Sequence, residues 1–189
     1  MVRIHTKLLV VVYSAWSEAS LSKIVHTPDG LSVSEIQVIK KQQKIEGKWK
    51  KCIDIAIKRA SPGKKSGDLE NRVRRLNQLI DEYIIQPSQL RNKIAHGQWS
   101  IALNQENTAT NSLLSSQIHD LDPVIVEKWF EVHRHLAQIV EDIVESPKKA
   151  FHRDYWVHLT EIESYLDKTK NRDVHSKMLE LKKKMPLSS

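Results

Sequence analysis

The sequence predicts a single, mainly α-helical domain. Its 189 residues include only five glycines and six prolines, 40% are hydrophobic and 28% charged, and apolar side chains recur at helical intervals. This length suits one domain with a hydrophobic core, so residues 1–189 are treated as one unit. Thirty basic against 23 acidic residues give a formal net charge of +7, which favours a polyanionic partner such as nucleic acid.

The first predicted helix covers residues 3–26 and ends at the turn formers of residues 27–30. We expect its inward stripe to be formed by Leu8, Val11, Val12, Ala15, Ala19 and, as a further member, Trp16. A signal peptide is the alternative for this segment. We favour the helix because Trp16 and Glu18 stand where cleavage would require small residues.

Two features bear on compartment. No stretch approaches the roughly 20 consecutive apolar residues of a membrane span, so no membrane partner is expected. The single cysteine, Cys52, cannot form an internal disulfide. A reducing compartment, the cytoplasm, is therefore the simpler expectation, with Cys52 as an inert buried thiol.

The next elements are also predicted to be helical. A second helix runs from Ser32 or Ser34 to about residue 60, with Ser32 and Glu35 resembling a capping box and Gly47 as a candidate break. Residues 61–67 form a loop. A third helix covers residues 68–85 and is interrupted by Pro87.

A short helix follows, with Ser88 as its N-cap and Gly97 as its C-terminal stop. Residues 98–103 and 108–118 are expected to form a small β-hairpin around the turn formers of residues 104–107.

Two Asx- or Ser-Pro pairs open the last long helices. Asp122-Pro123 predicts a helix to about residue 145, and Ser146-Pro147 predicts one to about residue 166. Residues 173–189 are a basic tail that holds a weak helix to about residue 185 and then frays.

The densest group of chemically active side chains lies at residues 91–96, which read Arg-Asn-Lys-Ile-Ala-His. On a helix, Asn92 and His96 are about 40° apart around the axis and share a face, whereas Arg91 and His96 are about 140° apart. Arg91 must therefore reach around the helix or face a partner.

These residue types suit phosphodiester transfer without a metal. Such a site needs a group that exchanges protons near neutral pH, supplied by His96, and a permanent cation for the phosphate, supplied by Arg91. In RNA the substrate's own 2′-hydroxyl can attack, so no cofactor or metal is required. Asn92 could orient the imidazole or bind a phosphate oxygen. The alternative is that Arg91 and His96 only stabilise the helix end, since such pairs also arise by chance.

The segment Arg91-Asn92-Lys93-Ile94-Ala95-His96-Gly97, followed closely by an aromatic residue, resembles the Arg-polar-spacer-His signature of the HEPN superfamily. The resemblance implies a HEPN-like antiparallel helical bundle and a metal-independent endoribonuclease of a toxin–antitoxin or antiviral defence system. It also implies a homodimer in which Arg91, Asn92 and His96 of both chains line one cleft, with an antitoxin or companion protein as a further partner.

The resemblance also guides the choice of binding residues. Some members place an acidic or polar residue of the first helix near the site, and Glu18 is the candidate here; it could equally be an ordinary surface residue. Independently of the resemblance, Lys93 and the basic residues Arg72 and Arg75, which are near the motif in sequence, are candidates for contact with RNA. Gln98 stands where one subgroup carries a tyrosine, so regulation through that tyrosine is not expected. The alternative function is a catalytically silent helical module that binds RNA, a nucleotide or a partner protein.

Overall fold

A computed structural model describes residues 2–61 and 67–184 and confirms the mainly α-helical class. The first helices are α1 (Val2–Val25), α2 (Val33–Lys40), α3 (Ile45–Ala60) and α4 (Gly67–Ile80). After a π-helical turn at Asp81–Ile85 come α5 (Gln86–Ala95), α6 (Ser112–Asp120), α7 (Pro123–Glu145), α8 (Ala150–Lys168) and α9 (Val174–Lys184). Most of the predicted loop at 61–67 and the predicted frayed end at 186–189 lie outside the described residues.

Helix α7 is the centre of the fold, because it packs against α1, α3, α8 and α9. Asp122 caps its first turn by accepting a hydrogen bond from the Ile125 amide at 2.8 Å, as the Asp-Pro pair predicts. The side chains that α7 buries recur at helical spacing along its inner face and include Val126, Trp129, Val132, Leu136, Ile139, Val140 and Ile143.

The predicted inward stripe of α1 is wrong. Leu8 and Val12 are 49% and 56% exposed, and Ala15 and Ala19 also face outward, while Val11 and Trp16 pack partly against the core. The buried face instead carries Thr6, Val10, Tyr13, Ser14, Ser17, Leu21 and Ile24. Apolar residues occur on more than one side of α1, and its buried face includes polar residues. The spacing of apolar residues alone therefore does not identify the buried face.

The expectation that no stretch of the chain is apolar enough for a membrane span does not hold for α1. By length and composition alone, Arg3–Val25 is long and apolar enough to cross a membrane. In this structure part of that apolar surface packs against the core, and 39% of the most apolar window of the helix is buried. The same helix lies near the N-terminus, where a signal sequence would pass the same test.

The second predicted helix is two helices. Its start is confirmed, because Ser32 and Glu35 form a capping box in which the Ser32 amide donates to the Glu35 carboxylate at 2.8 Å. The break falls at residues 41–44, and Gly47 lies within α3. In one continuous helix Ile39 and Trp49 would point about 80° apart, and the break allows both side chains to be buried.

Pro87 does not end the third helix, because α4 continues through the π-helical turn into α5. In α-helical register the Tyr83 carbonyl would accept from residue 87, which is a proline without an N–H. The Tyr13 hydroxyl of α1 donates to that carbonyl instead. Ser88 is consequently not an N-cap, since α5 begins with Pro87 in its first turn.

The predicted β-hairpin is wrong. In the described ranges there is no strand, and the segment after the motif contains only an isolated antiparallel bridge between Leu103 and Thr110. The expected second strand becomes α6, because the Asn111 side chain caps a helix by accepting from the Leu114 amide at 3.0 Å. Residues 97–111 are therefore a loop that leads from α5 to α6.

The C-terminal part is more ordered than a frayed tail as far as the structure describes it. The basic helix predicted from residue 173 is confirmed as α9. It is fixed to α7 by an ion pair between Lys177 and Glu127 at 2.5 Å, and Arg172 pairs with Glu180. Cys52 is fully buried in α3, and burial raises the pKa of its thiol to about 12, as an inert thiol requires.

Candidate active site

The motif lies on the last turn of α5, as predicted. Leu90 and Ile94 are buried and anchor the helix, while Asn92 and His96 are exposed. His96 is the C-cap, and Gly97 follows with φ of 77°, a left-handed conformation that glycine adopts without strain. Helix α5 and its C-cap thus present an amide and an imidazole on one side.

Arg91 points away from that face and towards α1. One of its terminal nitrogens donates to Asn92 Oδ1 at 3.0 Å, and the other donates to Glu18 Oε1 at 3.3 Å. The sequence-based choice of Glu18 as the first-helix residue beside the motif is therefore consistent with its position. The Arg91 side chain is 32% exposed, so it remains accessible to a ligand from outside.

Asn92, Lys93 and His96 line one open groove of about 880 Å³ between the end of α5 and the loop of residues 97–111. No aspartate or glutamate is among the described residues that line it, and Arg91 lies outside the lining. The remaining lining residues are mostly side-chain amides, with two leucines: Gln89, Gln98, Leu103, Gln105, Asn107, Asn111 and Leu114. A polar groove without carboxylates suits an anionic, hydrogen-bonding ligand.

His96 is free for chemistry in this arrangement. Within residues 2–61 and 67–184, no hydrogen bond or ion pair engages its ring, although the ring lines the groove. The idea that His96 serves only to stabilise the helix end therefore gains no support from its contacts. The end is held by other groups: the Trp99 indole donates to the Ile94 carbonyl at 2.9 Å, and the Lys7 ammonium donates to the Trp99 carbonyl.

Lys93 has a structural role alongside any role in binding. Its ammonium donates to the Leu103 carbonyl at 2.7 Å and reaches the Asn104 carbonyl at 3.5 Å. Gln98 adds a further restraint, since its side-chain oxygen accepts from the Leu103 amide at 2.7 Å. These bonds hold the loop against α5 and so shape the groove.

Arg72 and Arg75 do not line the groove. The Arg72 side chain is only 11% exposed, pairs with Asp68 at 2.9 Å and lies over three aromatic rings of α8, those of Phe151, Tyr155 and Trp156. As a candidate for contact with RNA, Arg72 is poorly placed, because its stem and planar head are used to join α4 to α8. Arg75 lies 3.4 Å from Glu163 of α8 and is about one-third exposed.

Several histidines and a larger cavity lie elsewhere. In the described part of the chain no three His, Cys, Asp or Glu side chains are grouped so that they could hold a metal ion. His133 is buried, whereas His135 lies beside His158, with 3.5 Å between their Nδ1 atoms, so the two have different surroundings. An apolar cavity of about 970 Å³ between α3 and α4 is lined by Ile53, Ile57 and Val73 and contains no motif residue.

Sequence reasoning missed the amides that surround His96. The run Gln105-Glu106-Asn107 carried a usable signal, but its residues indicate a turn just as well. Gln89 is seven positions before His96, two helical turns away on the same face, and that spacing could have identified it.

Comparison of the chain with protein-family models, with curated proteins and with solved structures finds no match in any of the three.

Proposed function

We propose that this chain is a metal-independent endoribonuclease that acts through a HEPN-like site, with RNA as its substrate. The observation that carries the proposal is the groove without carboxylates in which His96 and Asn92 lie together, with Arg91 hydrogen-bonded to Asn92. A polyanion can approach this surface without repulsion from its lining, and the net charge of +7 favours the encounter.

The proposed reaction is attack by the 2′-hydroxyl of one nucleotide on its own 3′-phosphate. The new bond joins O2′ to phosphorus, and the bond between phosphorus and the 5′-oxygen of the next nucleotide breaks. His96 accepts the proton of the 2′-hydroxyl and then donates a proton to the leaving 5′-oxygen, so the imidazole ends in the state in which it began, and Arg91 neutralises the charge on the phosphate. The products are a 2′,3′-cyclic phosphate and a 5′-hydroxyl.

We also propose that the active form is a homodimer. Its support is the outer surface of α1, the helix that also carries Glu18, the partner of Arg91. The large apolar residues exposed on that helix are Ile4, Leu8, Leu9 and Val12. An apolar surface of this kind beside a site is typical of a protein contact. A second copy placed here could complete a site that Arg91 of one chain alone does not enter.

The experiment for the activity is cleavage of unstructured RNA by purified protein in EDTA, with products analysed for a cyclic phosphate. We expect cleavage by the wild type, and loss of about 100-fold or more in His96→Ala, the scale of general acid–base catalysis. The matched control is His119→Ala, an exposed histidine of α6, which should cut at the wild-type rate. Full activity in His96→Ala would refute the proposal.

The dimer has its own test, light scattering on the wild type and on Leu8→Glu at micromolar concentration. We expect the wild type at twice the chain mass of 21.9 kDa and the variant at the single-chain mass. A wild type that remains at the single-chain mass while it cleaves RNA would refute the homodimer and leave the nuclease intact.

The second candidate is a catalytically silent module that binds RNA, a nucleotide or a partner protein. The contact of Arg91 with Glu18 favours it, because that contact holds the guanidinium outside the groove. This candidate predicts that RNA binds to the wild type without being cut and that His96→Ala leaves binding unchanged.

A further inference from the structure

The most distinctive property of the groove beside His96 is its number of side-chain amides. Six carboxamides line it: Gln89, Asn92, Gln98, Gln105, Asn107 and Asn111. A carboxamide offers one donor and one acceptor side by side, which suits ligands that present the complementary pair. Phosphate presents acceptors only, so a site for phosphate alone would call for cations in place of these amides.

Three of the six side-chain amides already accept a hydrogen bond from another group of the protein. Asn92 Oδ1 accepts from Arg91, Gln98 Oε1 accepts from the Leu103 amide, and Asn111 Oδ1 accepts from the Leu114 amide. These bonds fix the walls of the groove and leave the other side of each amide available.

The other three, those of Gln89, Gln105 and Asn107, are exposed, and within the described ranges their side chains make no hydrogen bond. They are the groups of the lining with the most unused hydrogen-bonding capacity.

The loop that carries Gln105 and Asn107 is fixed in shape. The side-chain oxygen of Asn104 accepts hydrogen bonds from the backbone amides of Thr108 at 2.9 Å and Ala109 at 3.3 Å. The backbone amide of Asn104 donates to the Ala109 carbonyl at 2.8 Å. Asn107 sits in the left-handed region with φ of 57°. Together with the contact of Lys93 to the loop, these bonds fix the backbone that carries Gln105 and Asn107 before any ligand binds, so only side-chain freedom has to be lost on binding.

We infer that the groove binds an unpaired adenine of the RNA, next to the phosphate that is cut. Asn and Gln side chains form paired hydrogen bonds with the N6 donor and N7 acceptor of adenine, and unpaired RNA bases expose such edges. Leu103 and Leu114, both partly buried in the lining, give the flat face of the base an apolar surface. His96 shares the lining, so a base held here leaves its phosphate beside the imidazole.

This inference rests on the proposed function, and a binding assay tests it separately from cleavage. The probes are fluorescent ten-nucleotide 2′-O-methyl RNAs, which cannot be cut, with nine uridines and one central adenosine, cytidine, guanosine or uridine. We expect the wild type to bind the adenosine probe at least about 5-fold more tightly than the others, the lower end of what one paired contact supplies.

The test variant is Gln89→Met with Gln105→Met, which removes two free amides at similar side-chain volume. We expect the preference for adenosine to fall below about 2-fold, with the thermal unfolding midpoint unchanged. Gln43→Met, an exposed glutamine between α2 and α3, is the matched control and should keep the preference. Equal affinity for the four probes, preference for another base, or an unaltered preference in the double variant would each overturn the inference.

Cleavage of the unmodified oligonucleotides separates the two proposals. Preference for adenosine in binding without any cleavage refutes the nuclease and keeps the base site. Cleavage without base preference, in binding and in cut position, refutes the base site and keeps the nuclease.

Discussion

The guanidinium of Arg91 lies 3.3 Å from the carboxylate of Glu18, although the two residues are 73 positions apart. The contact joins α5 to α1 and explains how an arginine that helical geometry directs away from His96 is held. Because the two side chains are 32% and 50% exposed, water screens the pair and its strength is modest, about 0.2–1 kcal/mol. An incoming phosphate can therefore compete with Glu18 for Arg91.

Glu18→Gln should tighten the binding of uncleavable RNA. The substitution removes a negative charge beside the groove and releases the guanidinium, a gain of up to about 5-fold in affinity if the full strength of such a pair is recovered. Fluorescence anisotropy at low and physiological salt measures the change. Glu161→Gln, the same charge change on the exposed face of α8, serves as the control. Equal affinities for the two variants would show that Glu18 does not compete for Arg91.

Tyr13→Phe should lower the free energy of unfolding by about 1–3 kcal/mol, the cost of leaving a buried polar group unpaired. The Tyr13 hydroxyl donates to the Tyr83 carbonyl, to which Pro87 has no N–H to donate. The same hydroxyl lies 3.3 Å from His133 Nδ1. Urea unfolding at pH 7 measures the loss. Tyr155→Phe is the control, because its hydroxyl makes no hydrogen bond within the described residues, and it should change the stability by less than about 0.5 kcal/mol.

The helices themselves were predictable because their signals are local. The capping box of Ser32 and Glu35, the Asp122-Pro123 start and the Gly97 stop all act within one turn of the chain. Pro87 is the exception. Whether the helix continues past it depends on the Tyr13 hydroxyl, 74 positions earlier, which donates to the carbonyl that the proline leaves without an N–H partner. A proline signals the loss of a hydrogen bond but not whether a distant side chain replaces it.

The site was predictable only in part for the same reason. Asn92 and His96 share a groove because their spacing on α5 requires a common face. The direction of Arg91 away from His96 follows from spacing, but its partner Glu18 on α1 and the enclosure of Arg72 by the rings of α8 could not be derived in that way. The amides of the loop were hidden because Asn and Gln serve turns as readily as ligands.

His133 should make the protein less stable as the pH falls below about 6.5. It is fully buried, with ring centroids 4.5 Å from Trp16 and 5.3 Å from Trp49, and this burial lowers its pKa from 6.5 to about 3. Between these values the unfolded chain binds a proton that the folded chain does not. Stability is therefore full above pH 6.5 and falls towards pH 3, by up to about 1.4 kcal/mol per pH unit from this residue.

The measurement is urea unfolding of wild type and His133→Asn at several values between pH 7.5 and 4.5. Asparagine retains an N–H near the position of Nδ1 but does not titrate, so the variant should show a shallower pH dependence even if it is less stable throughout. His5→Asn alters an exposed histidine of α1 and should retain the wild-type slope. Parallel curves for wild type and His133→Asn would contradict the assignment.

Arg72→Ala should destabilise the fold and leave RNA binding unaltered. The guanidinium carbon lies 4.8 Å from the centre of the Tyr155 ring and 5.2 Å from that of Trp156, and Asp68 holds its far end at 2.9 Å. Losing these contacts should cost about 1–3 kcal/mol, since cation–π contacts between desolvated groups are worth more than exposed ones. Urea unfolding and anisotropy on the same preparation separate the two effects.

Arg74→Ala gives the matched comparison, because Arg74 is exposed, stands two positions away on α4 and hydrogen-bonds to Asn71 of the same helix. Both variants lose one positive charge, so a purely electrostatic contribution to RNA affinity should be similar in the two. Only Arg72→Ala should lower the unfolding midpoint. If Arg72→Ala instead weakened RNA binding much more than Arg74→Ala does, with stability unaltered, Arg72 would belong to the surface that contacts RNA. Its stacking on α8 would then not be what holds its side chain in place.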